Sequence, residues 1–105
     1  HSESIYVETE TEVSLDAIRQ AAEECPGLVL NEAPYPTPKE CTDSDAVVIG
    51  RLRQDGACKQ GLHLWCCCDQ LRKGAATNAV QIGEWAWQNG LLKKGDPGKI
   101  SGLRQ

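Results

Sequence analysis

Hydrophobic residues in the first third of the chain follow two different periods. Ile5 and Val7 alternate with more polar neighbours, which predicts a strand with one buried face. The apolar residues that come next recur at intervals of three and four, between Ser14 as helix N-cap and a Pro-Gly stop. They predict one amphipathic helix with a single apolar stripe, formed by Leu15, Ile18, Ala22 and Cys25.

Three further apolar runs predict strands, over residues 28–31, 46–53 and 62–68. The first two are separated by a loop, 33–45, in which prolines alternate with other residues and favour a stiff, extended backbone. The order strand, helix, strand, strand, strand predicts a single α/β layer arrangement with a mixed or mainly antiparallel sheet.

A long helix is predicted from residue 71 to residue 90, with Asp69 as its N-cap and Gly90 as its stop. Its apolar residues form two stripes, which one sheet cannot cover: Leu71, Ala75, Ala79, Ile82 and Ala86 on one, and Ala76, Val80, Gly83 and Trp87 on the other. The helix is therefore expected to contact other protein chains.

Polar and glycine positions interrupt this helix. Each internal glycine, Gly74 and Gly83, costs about 1 kcal/mol relative to alanine, and close approach of another backbone or a ligand is the usual compensation. Asn78 and Gln81 are either solvated or part of a binding surface. The remaining residues, 93–105, are polar and basic, and they predict an extended tail that orders only on binding.

Composition limits the class of protein. A chain of 105 residues accommodates one small domain, and 40% hydrophobic with 25% charged residues argues against wholesale disorder. No apolar run approaches the roughly 20 residues of a transmembrane helix. The sequence has no methionine and begins at His1, from which we expect a removed leader or a piece of a longer protein.

Charge is distributed unevenly along the chain. Residues 1–45 carry a net charge of −9 and residues 46–105 one of +5, which gives −4 in total. The basic half has neither a Lys/Arg block nor interleaved aromatic residues, so we expect no nucleic-acid binding. The acidic half is best explained as a solvated surface.

Six cysteines are interpreted as mainly reduced core thiols. Cys66, Cys67 and Cys68 end a predicted buried strand, so the first and third share one face and the second points to the other. Three adjacent thiols on alternating faces are a poor tetrahedral site, and no CxxC pair exists. No metal site is therefore predicted, and a disulfide remains a weaker alternative. Reduced thiols favour a reducing compartment.

Four segments resemble the C-terminal part of aspartate-semialdehyde dehydrogenase. They are HSESIYVETE at the start, the loop NEAPYPTP, VVIGRLRQD, and DQLRKGAATNAVQIGE, which is the most specific. The resemblance runs in register from residue 1 to about residue 90. Residues 1–92 are accordingly interpreted as an incomplete dimerisation domain and residues 93–105 as a tail outside it.

The resemblance implies an α/β fold like the C-terminal domain of glyceraldehyde-3-phosphate dehydrogenase, whose last helix packs on a nucleotide-binding domain. It also implies NADPH-dependent reduction of aspartyl phosphate through a cysteine thioester, with a histidine as acid/base catalyst. His1 matches that histidine. Gln70 matches a position near the nicotinamide, and Gly74 and Asn78 lie on the same cofactor-facing segment.

Essential parts of such an enzyme are missing from the sequence. It contains no glycine-rich nucleotide loop after a strand and no Asn-Cys-Ser/Thr nucleophile, and the Cys41 of the proline loop matches nothing catalytic. The family's substrate-binding arginine precedes the matched histidine and so falls before residue 1. We therefore expect no activity and no cofactor for the chain alone, NADP only if it is paired with a nucleotide-binding domain, and a relic role for His1.

Two functional hypotheses follow. The favoured one is a non-catalytic structural or interaction subunit, derived from a dimerisation domain and reused in a larger assembly through the 71–90 helix and the basic tail. The alternative is the C-terminal half of a split or cleaved NADPH-dependent dehydrogenase. A small redox or metal protein has little support. If the source is a plant or alga we expect a plastid location, and otherwise the cytoplasm.

Overall fold

Four strands pair into one mixed sheet in the computed structural model of the chain, which describes residues 1–92. The elements in chain order are β1 Ser2–Glu8, α1 Leu15–Glu24, β2 Leu28–Leu30, β3 Val47–Gln54, β4 Gly61–Cys67, a π-helical turn Arg72–Ala76 and α2 Thr77–Gln88. The spatial order is β1-β4-β3-β2. Strand β4 is antiparallel to both neighbours, and β2 is parallel to β3. The predicted α/β class with a mixed sheet and two helices is confirmed, whereas the predicted tail lies outside the described residues.

Helix α1 begins and ends where the sequence predicts. The Ser14 hydroxyl accepts a hydrogen bond from the Ala17 amide at 3.1 Å, which satisfies one of the free amides of the first turn. Ala22 is buried, and the helix contacts β2 and β3. Gly27 then adopts a φ of +80°, a left-handed conformation that glycine reaches without strain and that turns the chain into β2.

The proline loop covers one face of the sheet. The Pro36 carbonyl accepts hydrogen bonds from the Trp65 indole at 2.9 Å and from the Cys67 thiol at 3.5 Å. A Cβ at Gly50 would lie 2.6 Å from Pro36 Cδ, so only glycine permits this approach. Cys41 of the same loop is 2% exposed and Cys67 beneath the loop is 1% exposed, so the most deeply buried side chains within residues 1–92 lie where the loop meets the sheet.

The opposite face of the sheet is less completely covered. Ile49 and Leu62 are buried there, whereas Ile5 is half-buried and Val7 is 37% exposed. The predicted strand β1 is present. Residues 1–92 cover its apolar face only in part.

The predicted continuous helix over 71–90 is wrong in its first part. Residues 72–76 form a π-helical turn, in which the Gly74 amide donates to the Asp69 carbonyl at 2.7 Å and the Ala76 amide to the Leu71 carbonyl at 3.2 Å. The sequence pattern gave no sign of this wider turn because apolar spacing does not distinguish π from α over five residues.

The ends of this helical segment agree with the prediction. The Asp69 carboxylate accepts from the amides of Leu71 and Arg72, at 2.7 and 2.9 Å, and so satisfies the first free donors. Gly90 ends the segment with a φ of +69°. Within residues 1–92 no helix is long and apolar enough to cross a membrane.

All six cysteines are free thiols, so the disulfide considered as a weaker alternative is not formed. Cys66 and Cys68 do share a face, with Cys67 on the other, as strand alternation predicts. The core interpretation holds only for Cys41 and Cys67, because Cys66, Cys68 and Cys58 are partly exposed and Cys25 is exposed.

Candidate functional site

A pocket of about 320 Å³ opens where the β1–β4 pair meets the π-helical turn. Residues from three segments line it: His1, Ser2, Glu3, Cys66, Cys68, Lys73, Gly74 and Asn78. We refer to it as the His1 pocket. Three of the four site residues proposed from the sequence are thus brought together, since His1 shares this cavity with Gly74 and Asn78, from which it is far apart in the chain.

The position of His1 is set by the sheet. Its backbone extends the β1–β4 ladder by two hydrogen bonds, from His1 N to the Cys68 carbonyl at 2.8 Å and from Cys68 N to the His1 carbonyl at 3.1 Å. Its imidazole lies directly over Gly74. A Cβ at Gly74 would be 2.9 Å from His1 Cε1 and closer still to Nδ1. Glycine is therefore required at position 74 for this ring position.

Asn78 is oriented by Lys73. The Lys73 ammonium donates to Asn78 Oδ1 at 3.2 Å and to Gln81 Oε1 at 2.6 Å. An ammonium group has donors only, so these contacts assign the oxygens of both amides to Lys73 and leave the Asn78 NH₂ group as a donor. The Lys73 ammonium therefore fixes the side chains of Asn78 and Gln81, which are not simply solvated.

The π-helical turn is fixed to the loop before β3 by a bidentate ion pair. Arg72 donates to both Asp45 carboxylate oxygens, at 2.8 Å each, and Thr77 donates to Asp45 at 3.1 Å. The Arg72 guanidinium lowers the pKa of Asp45, with a further contribution from Thr77. The pKa of Asp69 is also lowered, by hydrogen bonds from the amides of Asp43, Arg72 and Leu71. These contacts hold Gly74 beneath His1.

Gln70 is the proposed site residue that does not line the His1 pocket. Its side chain is exposed. Lys73 was missed by the sequence analysis because its contact with Asn78 spans five residues, which is the spacing of the π-helical turn. Cys66 and Cys68 were placed on one face correctly, but their position beside His1 depends on the pairing of β4 with β1, which no local pattern reveals.

The two thiols of the pocket have different surroundings. Cys66 lies directly opposite Glu3 in the β1–β4 ladder. Burial raises the pKa of Cys66, and the neighbouring thiol Cys68 and the Glu3 carboxylate raise it further. Cys68 instead lies opposite His1.

Helix α2 carries an apolar surface that residues 1–92 leave uncovered. Four large side chains on it are between 56% and 60% exposed: Val80, Ile82, Trp85 and Trp87. Within the described part of the chain, the only element that packs extensively on α2 is the π-helical turn before it. A Cβ at Gly83 would meet no atom within 4 Å. The close approach expected at Gly74 is therefore present, and the one expected at Gly83 is not made by residues 1–92.

The second histidine lies at the other end of β4. His63 Nε2 is 2.9 Å from Asp55 Oδ2, and its ring centroid is 4.8 Å from that of Tyr6. Hydrogen bonds from the Ala57 amide and from His63 lower the pKa of Asp55. Neither His63 nor Asp55 lines the His1 pocket, so His63 serves as an internal comparison for His1.

Known proteins with a similar sequence share one description. A sequence profile described as "Semialdehyde dehydrogenase, dimerisation domain" matches residues 1–73. The aspartate-semialdehyde dehydrogenase of Aquifex aeolicus is 43% identical over 96 residues, which cover 88% of this chain and 28% of the relative. That of Synechocystis is 42% identical over 96 residues, with the same coverage of 88% and 28%. The chain thus spans less than a third of the length of these relatives.

Solved structures lead to the same assignment. Aspartate semialdehyde dehydrogenase II of Vibrio cholerae matches with a TM-score of 0.75 and 36% identity, over 84% of this chain and 27% of the neighbour. A probable aspartate-semialdehyde dehydrogenase of Pseudomonas aeruginosa matches with a TM-score of 0.75 and 30% identity, over 85% of this chain and 27% of the neighbour. Since the profile covers well over half of its length, the chain belongs to the semialdehyde dehydrogenase dimerisation-domain family.

Proposed function

We propose that the chain serves as the C-terminal, dimerising part of an NADPH-dependent aspartate-semialdehyde dehydrogenase. A nucleotide-binding part, on the same polypeptide or on a companion chain, supplies the nucleophile and the cofactor loop. The observation that carries this proposal is the convergence of His1, Gly74 and Asn78 in one pocket. For this reason we place a catalytic role before the structural role that the sequence alone favours.

In this proposal His1 moves the proton of the reaction. Its Nδ1 and Cε1 edge lies on Gly74, so Nε2 is the ring nitrogen farther from that glycine. An imidazole has a pKa near neutrality and therefore both gives and takes a proton at physiological pH. Two backbone hydrogen bonds to Cys68 hold the residue in register, which favours a defined ring position over a relic side chain.

Two features of the His1 pocket support its role in binding the nicotinamide end of NADP. The side-chain NH₂ group of Asn78 is left free to donate because Lys73 occupies its oxygen, and a carboxamide oxygen is a suitable acceptor for it. Gly74 keeps the wall of the pocket free of a side chain. The sequence contains no glycine-rich phosphate loop, so the phosphates require the nucleotide-binding part. When bound, NADPH supplies the hydride.

The exposed surface of α2 supports a contact with that nucleotide-binding part. Large apolar side chains are exposed on two sides of α2, with Trp85 on one and Trp87 on the other, and such side chains are costly to leave in water and typical of a protein interface. Gly83 leaves room there for another backbone to approach closely.

The test is to purify the protein from its source under native conditions. Mass spectrometry then identifies the full polypeptide to which the chain belongs and any companion chain that co-purifies with it. We expect a nucleotide-binding part with a glycine-rich loop and an Asn-Cys-Thr motif, and NADPH oxidation that depends on aspartyl phosphate. In that assembly His1→Asn should lower kcat by roughly 100-fold or more, the usual contribution of a general acid/base. His63→Asn is the matched control and should leave kcat within about twofold.

The isolated chain is expected to show no dehydrogenase activity. Turnover of NADPH by the purified chain alone would contradict the requirement for a second part. Equal loss of kcat in His1→Asn and His63→Asn would contradict the specific role of His1.

The second candidate is a non-catalytic interaction subunit. The exposed apolar side chains of α2 favour it, because an interaction surface of this kind requires no chemistry. Co-purification with chains that lack a nucleotide-binding loop, together with unchanged assembly in His1→Asn, would favour this candidate over the enzyme.

A further inference from the structure

The His1 pocket contains a group of reactive side chains that acid/base chemistry does not require. Two thiols, Cys66 and Cys68, line the same cavity as the His1 imidazole and the Lys73 ammonium. Both thiols are free and partly exposed. Reactive cysteines in proteins are typically partly accessible and close to histidine or lysine, whereas structural cysteines are buried in apolar surroundings, as Cys41 and Cys67 are here.

Strand pairing distinguishes the two thiols. Cys68 and His1 exchange both backbone hydrogen bonds, so they form a directly opposed pair on one face of the sheet, with Cβ atoms about 5.5 Å apart by the geometry of such pairs. Cys66 occupies the next position on that face, opposite the Glu3 carboxylate. A carboxylate disfavours a thiolate, while an imidazole accepts the thiol proton or, once protonated, attracts the thiolate. Cys68 is therefore the thiol with the more favourable neighbour.

We propose that the His1 pocket is a thiol-modification site, at which Cys68 forms a mixed disulfide with a small disulfide compound. The Cys68 thiol first loses its proton. Its sulfur then attacks one sulfur of the compound, a new S–S bond forms as the old one breaks, and the departing thiolate takes up a proton. Cys68 is oxidised and the departing half is reduced to a thiol, so the exchange needs no other oxidant.

A closed disulfide between Cys66 and Cys68 is a less suitable product. Residues two apart on a strand are about 6.6 Å apart at Cα, which is near the upper limit for a disulfide. The open volume of about 320 Å³ in front of both thiols instead gives space for an added group. Such a group would occupy the cavity that His1, Gly74 and Asn78 share.

The experiment treats the full chain with glutathione disulfide at neutral pH and follows each cysteine by peptide mass mapping. Cys25 is the internal reference because it is exposed and does not line the His1 pocket. We expect Cys68 to gain one glutathionyl group at least about fivefold faster than Cys25, although Cys25 is more exposed. In denaturant this difference should disappear.

Matched variants test the assignment. Cys68→Ser should abolish the fast labelling and Cys66→Ser should retain it, with circular dichroism confirming that both fold. His1→Asn should slow labelling of Cys68 and leave the rate at Cys25 unchanged. Faster labelling of Cys25, preferential labelling of Cys66, or loss of two hydrogen atoms without an added group, the mark of a disulfide within the chain, would each overturn the proposal.

Labelling of Cys68 can be tested without the proposed function. Any effect of the added group on NADPH-dependent turnover rests on the proposed function, because that group would occupy the His1 pocket. If the modified assembly keeps full NADPH-dependent activity, the role of the pocket in catalysis fails while the modification site stands. If Cys68 does not react but His1→Asn abolishes turnover, the modification site fails and the proposed function stands.

Discussion

The proline-loop face of the sheet and the surface of α2 are built from similar residues and have opposite environments. Trp65 lies under the proline loop with its indole hydrogen bonded to Pro36, whereas Trp85 and Trp87 on α2 are more than half exposed. Gly50 fits against another backbone, whereas Gly83 faces open space. The described part of the chain thus covers one apolar surface with its own loop and leaves the other exposed, and under the proposed function a nucleotide-binding part covers the second.

The largest expected effect is at Gly50. Gly50→Val should destabilise the chain by about 3 kcal/mol, because the new side chain overlaps Pro36 and the Asn31 carbonyl, and neither is a flexible side-chain end. Urea unfolding of both proteins measures the difference. A change below about 1 kcal/mol would mean that the loop moves freely away from the sheet.

Trp65 and Trp87 form the next matched pair. Trp65→Phe removes the donor for the Pro36 carbonyl and should cost about 1–2 kcal/mol of unfolding free energy. Trp87→Phe alters an exposed side chain and should change stability by less than about 0.5 kcal/mol. Equal costs of the two substitutions in urea unfolding would show that Trp87 is covered in the isolated chain.

Gly83→Ala should have the opposite sign. With nothing within 4 Å of the new methyl group, it should stabilise the isolated chain by about 0.5–1 kcal/mol through helix propensity alone. Thermal unfolding by circular dichroism measures this gain. Gly74→Ala is the control within the same helical segment, and it should not gain stability because its methyl group meets His1.

The smallest effect concerns the exposed Asp45–Arg72 pair. Because the pKa of Asp45 is lowered in the folded chain, its contribution is present above the usual aspartate pKa near 3.8 and is lost as the pH falls below that value. Asp45→Asn should therefore lower the Tm slightly at pH 7. Between pH 7 and pH 3, the Tm of this variant should fall less than the Tm of the unchanged chain. An unchanged pH profile would show that Arg72 gains nothing from the pair.

Local sequence signals predicted most of the fold. The Ser14 cap, the apolar spacing of α1 and the glycines at 27 and 90 correspond to real helix ends. Alternation along β4 correctly separated Cys67 from its two neighbours. These features depend on residues close together in the chain, and such interactions are what periodicity reports.

The site was only partly predictable, because its geometry depends on long-range pairing. His1, Gly74 and Asn78 were identified through family resemblance, but their convergence requires β1 to pair with β4 and Asp45 to fix Arg72. Lys73 was missed because its partners follow from a turn of unusual width. Gln70 was proposed on the same resemblance, and residues 1–92 place it outside the cavity.

The π-helical turn also sets the angular phase of everything that follows it. Each residue of an α-helix advances about 100° around the axis, so the extra residue taken up by this turn rotates all of α2 by about that angle relative to a continuous α-helix. Deleting one residue between 72 and 76 would leave the composition of α2 intact but turn Trp87 away from its present azimuth. Insertions and deletions in this short segment should therefore be far less tolerated than substitutions on the helix it directs.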